Sequence, residues 1–263
     1  SEYNVEIFNY RAADRSLNNV QVNVEPGVIG KLYVQNYEND VTLGAADVAK
    51  TLNVANATLA SANGSVNNYV QLTSDDSVAF SAGVDVTNNK AINAVNAVSF
   101  TAERNITNSG AITAGRDVTM HAGEYVDNDA EINSTNGNTT ITAGSYIKNA
   151  GAIEAGNNKK AGNIFMTAGS AEAADNTTAT IENTAELSAN GFIRMTAYGN
   201  DVVNADTSER AAITNTGKLK IANDAIITAV AGSINNTVGI VGRTIYDSPN
   251  NVEFTAAKNI INV

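Results

Sequence analysis

The sequence predicts an all-β fold: a right-handed parallel β-helix, a solenoid wound in coils of about twenty residues. Three observations lead there. A motif of a β-branched residue, any residue and Asn recurs at Val66 and Asn68, Val86 and Asn88, Ile106 and Asn108, Val126 and Asn128, and Ile147 and Asn149, with Asn steps of 20, 20, 20 and 21. Short period-2 apolar alternations, the mark of half-buried strands, flank each copy at constant offsets. The apolar fraction is 43%, yet there is no Trp and only six Phe, so Ala, Val and Ile supply the bulk. Small side chains suit a narrow, repetitive interior.

In chain order, residues 1–56 are the least regular. "VQVNV" and "DVTLG" alternate like strands, while "GAADVAKTLNVANATLA" (44–60) reads as a short helix as easily as a strand. This part is read as an irregular start or cap of the β-helix, and 57–263 as its body. In the body each line holds three segments. The first is Val78-x-Phe80-x-Ala82, Val98-x-Phe100-x-Ala102, Val118-x-Met120-x-Ala122 and Thr139-x-Ile141-x-Ala143. The Asn motif is the second, and Ile92, Ile112, Ile132 and Ile153 mark the third. After residue 155 the lines lengthen, with extra residues at 156–162, 170–180, 205–212 and 239–250. Their strands are expected at Ile164–Ala168 with Ile181 and Asn183, at Ile193–Ala197 with Val202 and Asn204, at Ile234 and Asn236 behind a strand of two possible registers, and at Val252–Ala256 with Ile260 and Asn262. A repeat core places such insertions in surface loops.

One line is too short for a βαβ crossover, and its segments match those of its neighbours. Stacking strand over equivalent strand, roughly 4.8 Å apart, is the simplest geometry. A single line cannot stand alone. About six inward side chains contribute roughly 1.5–3 kcal/mol each, against roughly 1–2 kcal/mol of backbone entropy for each of about twenty residues. Only an array that shares ladder hydrogen bonds is stable. Inward positions then form columns: Phe80, Phe100, Met120 and Ile141 in one, Ala82, Ala102, Ala122 and Ala143 beside it, and a structural ladder of Asn68, Asn88, Asn108, Asn128 and Asn149. Strict six-residue units are absent, which favours right-handed winding. A β-sandwich and an antiparallel solenoid are the competing folds; neither explains the constant Asn steps.

The formal charge is −11. Such a field repels nucleic acid and anionic lipid. Without cysteine there are no disulfides and no thiolate metal sites, a pattern shared by bacterial secreted and cytosolic proteins. No apolar run approaches the roughly 20 residues of a membrane span, so no membrane insertion is expected. The start "SEYNVEIFNY" lacks the basic and apolar regions of a signal peptide, implying that one was removed or that the chain is a fragment. The last line stops at "NIINV" after its second segment, and an open β-helix end is an assembly edge. A longer rod and a head-to-tail fibre both fit.

"SFTAERNITNSGAITAGRDVTMHAGEYVDN" (99–128) resembles the repeats of filamentous haemagglutinin and related exoproteins of two-partner secretion, whose lines run roughly L-x-A-G-x-x-I-x-N-x-G-x-I-x-A-G. The resemblance covers about 57–156 well, 163–263 more loosely, and 1–56 not at all. It implies a right-handed β-helical rod exported from a Gram-negative cell, serving adhesion, biofilm cohesion or the stalk of a contact-dependent toxin. Glycine is thinner here than in the typical repeat, the later lines carry long loops, and no toxin-like end is recognisable.

Candidate sites are few. His121 is the only histidine; alternation between Met120 and Ala122 points it outward, and a metal site or catalytic triad would need partners it lacks. Asp127, Asp129 and Glu131 alternate in "DNDAE", but Ile132 stands where a calcium loop needs Gly. They read as solvated turn charge or a weak cation site. Tyr125 and Tyr146 are outward neighbours on adjacent coils, either stacked on each other or open to a sugar or protein surface. No catalytic residue, metal or cofactor is assigned. The expected function is a non-enzymatic, secreted or cell-surface adhesin or filament. Its partners would be other copies of itself, or a host or neighbouring-cell surface protein or glycan. The alternative is a carbohydrate-active β-helix enzyme, which needs carboxylates clustered in one groove; no in-register acid cluster is evident in the lines.

Overall fold

The computed structural model describes residues 3–9, 19–22, 28–46, 48–171, 178–203, 209–210, 212–242 and 251–263. The strands fall into three walls, one for each segment of the repeat. Wall A holds Val78–Ala82, Val98–Ala102, Val118–Ala122, Thr139–Ala143, Ile164–Ala168, Ile193–Ala197, Ala225–Ala229 and Val252–Ala256. Wall B is an 11-stranded parallel sheet from Val20–Val22 to Ile260–Asn262. Wall C runs from Gln71–Ser74 through Ile92–Ala94, Ile112–Ala114, Ile132–Ser134, Ile153–Asn157 and Leu187–Ala189 to Leu219–Ile221 and Ile240–Gly242. The chain visits A, B and C in turn and then starts the next coil, so every wall pairs parallel: a parallel β-helix.

The register aligns like with like. Val86 pairs with Ile106, Ile106 with Val126, Val126 with Ile147, and the file continues through Ile181, Ile213 and Ile234 to Ile260. In wall A, Phe80, Phe100, Met120, Ile141, Met166, Met195, Ile227 and Phe254 form a second file. Phe80 and Phe100 stack with centroids 4.9 Å apart and rings 1° from parallel. Ala82, Ala102, Ala122 and Ala143 line up beside them, all buried. A period-2 strand leaves one row of side chains inward and one outward, so the core reduces to columns one side chain wide.

Among the described residues there is no helix. The helical reading of 44–60 is corrected to the strand Thr51–Ser61, which buries Leu52, Val54, Ala57, Leu59 and Ser61. Two period-2 runs joined out of phase at Ala55 and Asn56 look helical in projection. In the fold they serve two walls: Thr51–Val54 pairs with wall C at 71–74, and Ala57–Ser61 pairs with wall A at 78–82. This strand and Val28–Asn36 before it join walls A and C into one 20-stranded sheet.

Of the insertions, 156–162 closes as an antiparallel hairpin in which Gly156 pairs with Ala161. Gly156 has φ 80°, a left-handed turn conformation that glycine takes without strain. Residues 172–177, 204–208, 211 and 243–250, most of the other three insertions, lie outside the described residues. The expected wall-B strand at Val202 and Asn204 is corrected. Val202–Val203 pairs antiparallel with Glu209–Arg210, and the wall-B strand of that coil is Ile213–Asn215. Asn204 itself lies outside the described residues. The strand before Ile234 takes the register Ala225, Ile227, Ala229 inward.

Candidate functional site

The most ordered polar feature is internal. Asn68 donates from Nδ2 to Asn88 Oδ1 at 2.8 Å, Asn88 to Asn108 at 2.8 Å, Asn108 to Asn128 at 2.7 Å and Asn128 to Asn149 at 2.7 Å. The chain of amides continues through Asn183, Asn215 and Asn236 to Asn262. The second N–H of the same group closes the corner between walls B and C: Asn128 donates to Ala130 O at 2.9 Å and Asn149 to Gly151 O at 2.9 Å. Only a primary amide offers two donors and an acceptor in one plane at this length. Asn68, Asn88, Asn108, Asn128 and Asn149 are 0% exposed, so they hold the coil together and face no ligand.

The outward rows carry the residues with chemistry. His121 is exposed in the row Thr101, His121, Thr142. Asp127 and Asp129 meet a cation supplied by the next coil: Lys148 Nζ lies 3.0 Å from Asp127 and 3.1 Å from Asp129. Hydrogen bonding to Asp127 first, then Asp129, raises the Lys148 ammonium pKa above its ordinary value. Tyr125 and Tyr146 pair in register, and the Tyr146 hydroxyl donates to Glu182 at 2.7 Å. Arg104 grips Asp85 with both arms, at 3.0 and 2.5 Å, and its guanidinium lowers the Asp85 pKa. Asp201 accepts from Ser233 N at 2.6 Å, Ser233 Oγ at 2.8 Å and Ala212 N at 3.1 Å. Burial pushes its pKa up, but these donors and Lys258 outweigh it and the net shift is downward.

Concave places break the outer surface among the described residues, and two of them are lined by charged side chains. One, of about 370 Å³, is lined by Val95, Gly115, Arg116, Asp117, Asn136 and Lys160. The other, of about 260 Å³, lies on wall C and is lined by Glu131, Ala152, Ile153, Glu154, Glu186, Ser188 and Lys220. Its shape follows from the register. Glu131, Ala152 and Glu186 stack at the entry to the strands, shown by Ile132 N bonding Ala152 O and Ile153 N bonding Glu186 O. One row along, Glu154, Ser188 and Lys220 stack in that order. Ala152 and Ser188 are the small members of their rows, so the surface dips there between longer side chains. Lys220 binds Glu186 at 2.6 Å. Glu131 and Glu154 pair with no cation among the described residues.

The sequence reading missed this cluster. Glu131 and Glu186 lie two coils apart in one row, separated by the insertions after 155, and Glu154 lies one row along on the coil between, so a fixed twenty-residue step does not bring the three together; stacking the coils on Ile132, Ile153 and Leu187 does. Among the described residues no group of three or more His, Asp or Glu is arranged to hold a metal ion, and no helix is long and apolar enough to cross a membrane. Comparison with protein-family models, with curated proteins and with solved structures finds no match.

Proposed function

We propose that this protein is a non-enzymatic structural rod, secreted or displayed at a bacterial cell surface, that works by attachment or self-assembly. The observation that carries the reading is the register: identical inward positions continue from Val41 to Ile260 in wall B without a break for an internal site. A solenoid of this kind is stiff along its axis, because every coil is tied to the next by ladder bonds in three walls. Its outer rows vary freely, which is what a display scaffold needs. The resemblance to haemagglutinin-type repeats, carried by residues 99–128, supports export and an adhesive role.

The coil at 252–262 presents Val252, Ile260 and Asn262 at the same positions as the coils before it, with Val252 and Ile260 exposed. The test is negative-stain microscopy of the purified protein, together with binding of fluorescently labelled protein to bacterial and epithelial cell surfaces. Saturable surface binding or filaments support the reading. Protein that stays monomeric at high concentration and binds no surface overturns it.

A second reading, a carbohydrate-active enzyme, draws on the Glu131, Glu154 and Glu186 cluster beside Lys220. Incubation with a panel of polysaccharides decides it: release of reducing or unsaturated ends, lost in Glu154→Gln and Glu186→Gln, would replace the rod reading.

A further inference from the structure

From the wall-C cavity we infer a binding site for a primary ammonium group. Three glutamates and one lysine line it. Because Lys220 is engaged with Glu186 at 2.6 Å, Glu131 and Glu154 leave the cavity with two carboxylates that no cation among the described residues pairs with. The independent pointer is Ser188. It occupies an outward position, between Leu187 and Ala189 whose side chains face the core, in the row with Glu154 and Lys220. It is nevertheless only 6% exposed, and its Oγ is buried with no hydrogen-bond partner. A buried hydroxyl without a partner is uncommon and calls for an occupant.

The charge selects the ligand class. Two free carboxylates favour a cation, and the side chains do not converge as metal ligands do. An ammonium group suits the spacing better. It offers three N–H donors, one each for Glu131, Glu154 and the Ser188 hydroxyl, which sit on three successive coils, each roughly 4.8 Å from the next. One corner away the same molecule already uses this chemistry: Lys148 Nζ bridges Asp127 and Asp129 on a neighbouring coil at 3.0 and 3.1 Å. The wall-C cavity likewise offers two carboxylates, here on adjacent coils with Ser188 on the next, and leaves the ammonium to an outside ligand. A lysine side chain and an amino sugar share this chemistry. The inference stands whether or not the rod reading does, because it concerns one surface site.

The experiment is an NMR titration of the full chain with n-butylammonium chloride, following the amides of Glu154 and Ser188. Neutral n-butanol and calcium chloride serve as comparisons. Saturable shifts at those two residues with butylammonium alone are expected. Glu154→Gln and Ser188→Ala, both outward positions, should each weaken binding about tenfold, the scale of one hydrogen bond to a charged group, with unchanged circular dichroism. Parallel titrations with Nα-acetyl-lysine amide and glucosamine identify the source: the tighter of the two names it. Absence of saturable shifts, equal response to butanol, tighter response to calcium, or undiminished binding in both variants would each overturn the inference. None of these outcomes bears on filament formation or surface attachment, so the two readings fail separately.

Discussion

Replacing Asn128 by Ala tests the amide ladder where it is most enclosed. Asn128 is 0% exposed. It accepts from Asn108 at 2.7 Å, donates to Asn149 at 2.7 Å and donates to Ala130 O at 2.9 Å. Truncation leaves three groups short of a partner: the buried N–H of Asn108 and Oδ1 of Asn149, and the half-buried carbonyl of Ala130. An unsatisfied buried group costs roughly 1–3 kcal/mol, less for an oxygen that keeps another partner. The loss should therefore be about 3–6 kcal/mol, far above the typical single substitution of about 1 kcal/mol. Asn262→Ala is the control. It removes one acceptor, that of Asn236 at 2.7 Å, from an exposed coil, and should cost about 1 kcal/mol or less. Urea unfolding followed by far-ultraviolet circular dichroism and by tyrosine fluorescence measures both. Coincidence of the two probes shows whether the array unfolds as one unit. The double variant Asn108→Ala with Asn128→Ala should cost less than the sum of the singles, because neighbours in one hydrogen-bonded chain share partners. The reasoning is refuted if Asn128→Ala lies within 1 kcal/mol of the parent, or costs no more than Asn262→Ala.

Further outcomes follow from other columns and corners. Phe100→Ala removes one of two stacked rings in a column one side chain wide and should cost about 3–5 kcal/mol, whereas Phe100→Met, which mimics Met120 in the same file, should cost under about 2 kcal/mol in the same urea titration. A Cβ on Gly144 would meet the Gly123 carbonyl oxygen at 1.9 Å, so Gly144→Ala must push two coils apart and lower the thermal midpoint, with a loss of about 1–3 kcal/mol. The depressed pKa of Asp201 means that its contribution is present above the ordinary carboxylate range and is lost as pH falls through the lower folded value. Asp201→Asn should therefore be less stable than the parent at pH 7, with the gap closing below about pH 4 in thermal melts.

The regular coils were readable because their physics is local and periodic. The spacing of Asn68 through Asn149, the Phe80 file and the Ala82 file each follow from a period-2 strand stacked on its equivalent, and the file Val86, Ile106, Val126, Ile147 lies in one wall. Reading failed where two local patterns were superposed or interrupted. Thr51–Ser61 changes phase at the corner between two walls and so imitates a helix. Asn204 satisfies the motif by sequence, but an inserted hairpin carries Val202 and Val203 out of the wall and Asn215 takes the place.

What the chain determined by itself, then, was the winding: coil length, the three segments per coil, and which side chains stack, since each depends only on alternation and on equal spacing along the chain. What needed the tertiary structure was the outer surface. Lys148 between Asp127 and Asp129, and the dip at Ser188 among Glu131, Glu154 and Glu186, join residues from different coils. Their meeting is set by how many residues each coil spends in its loops. That number varies after residue 155, and only the folded stack counts it.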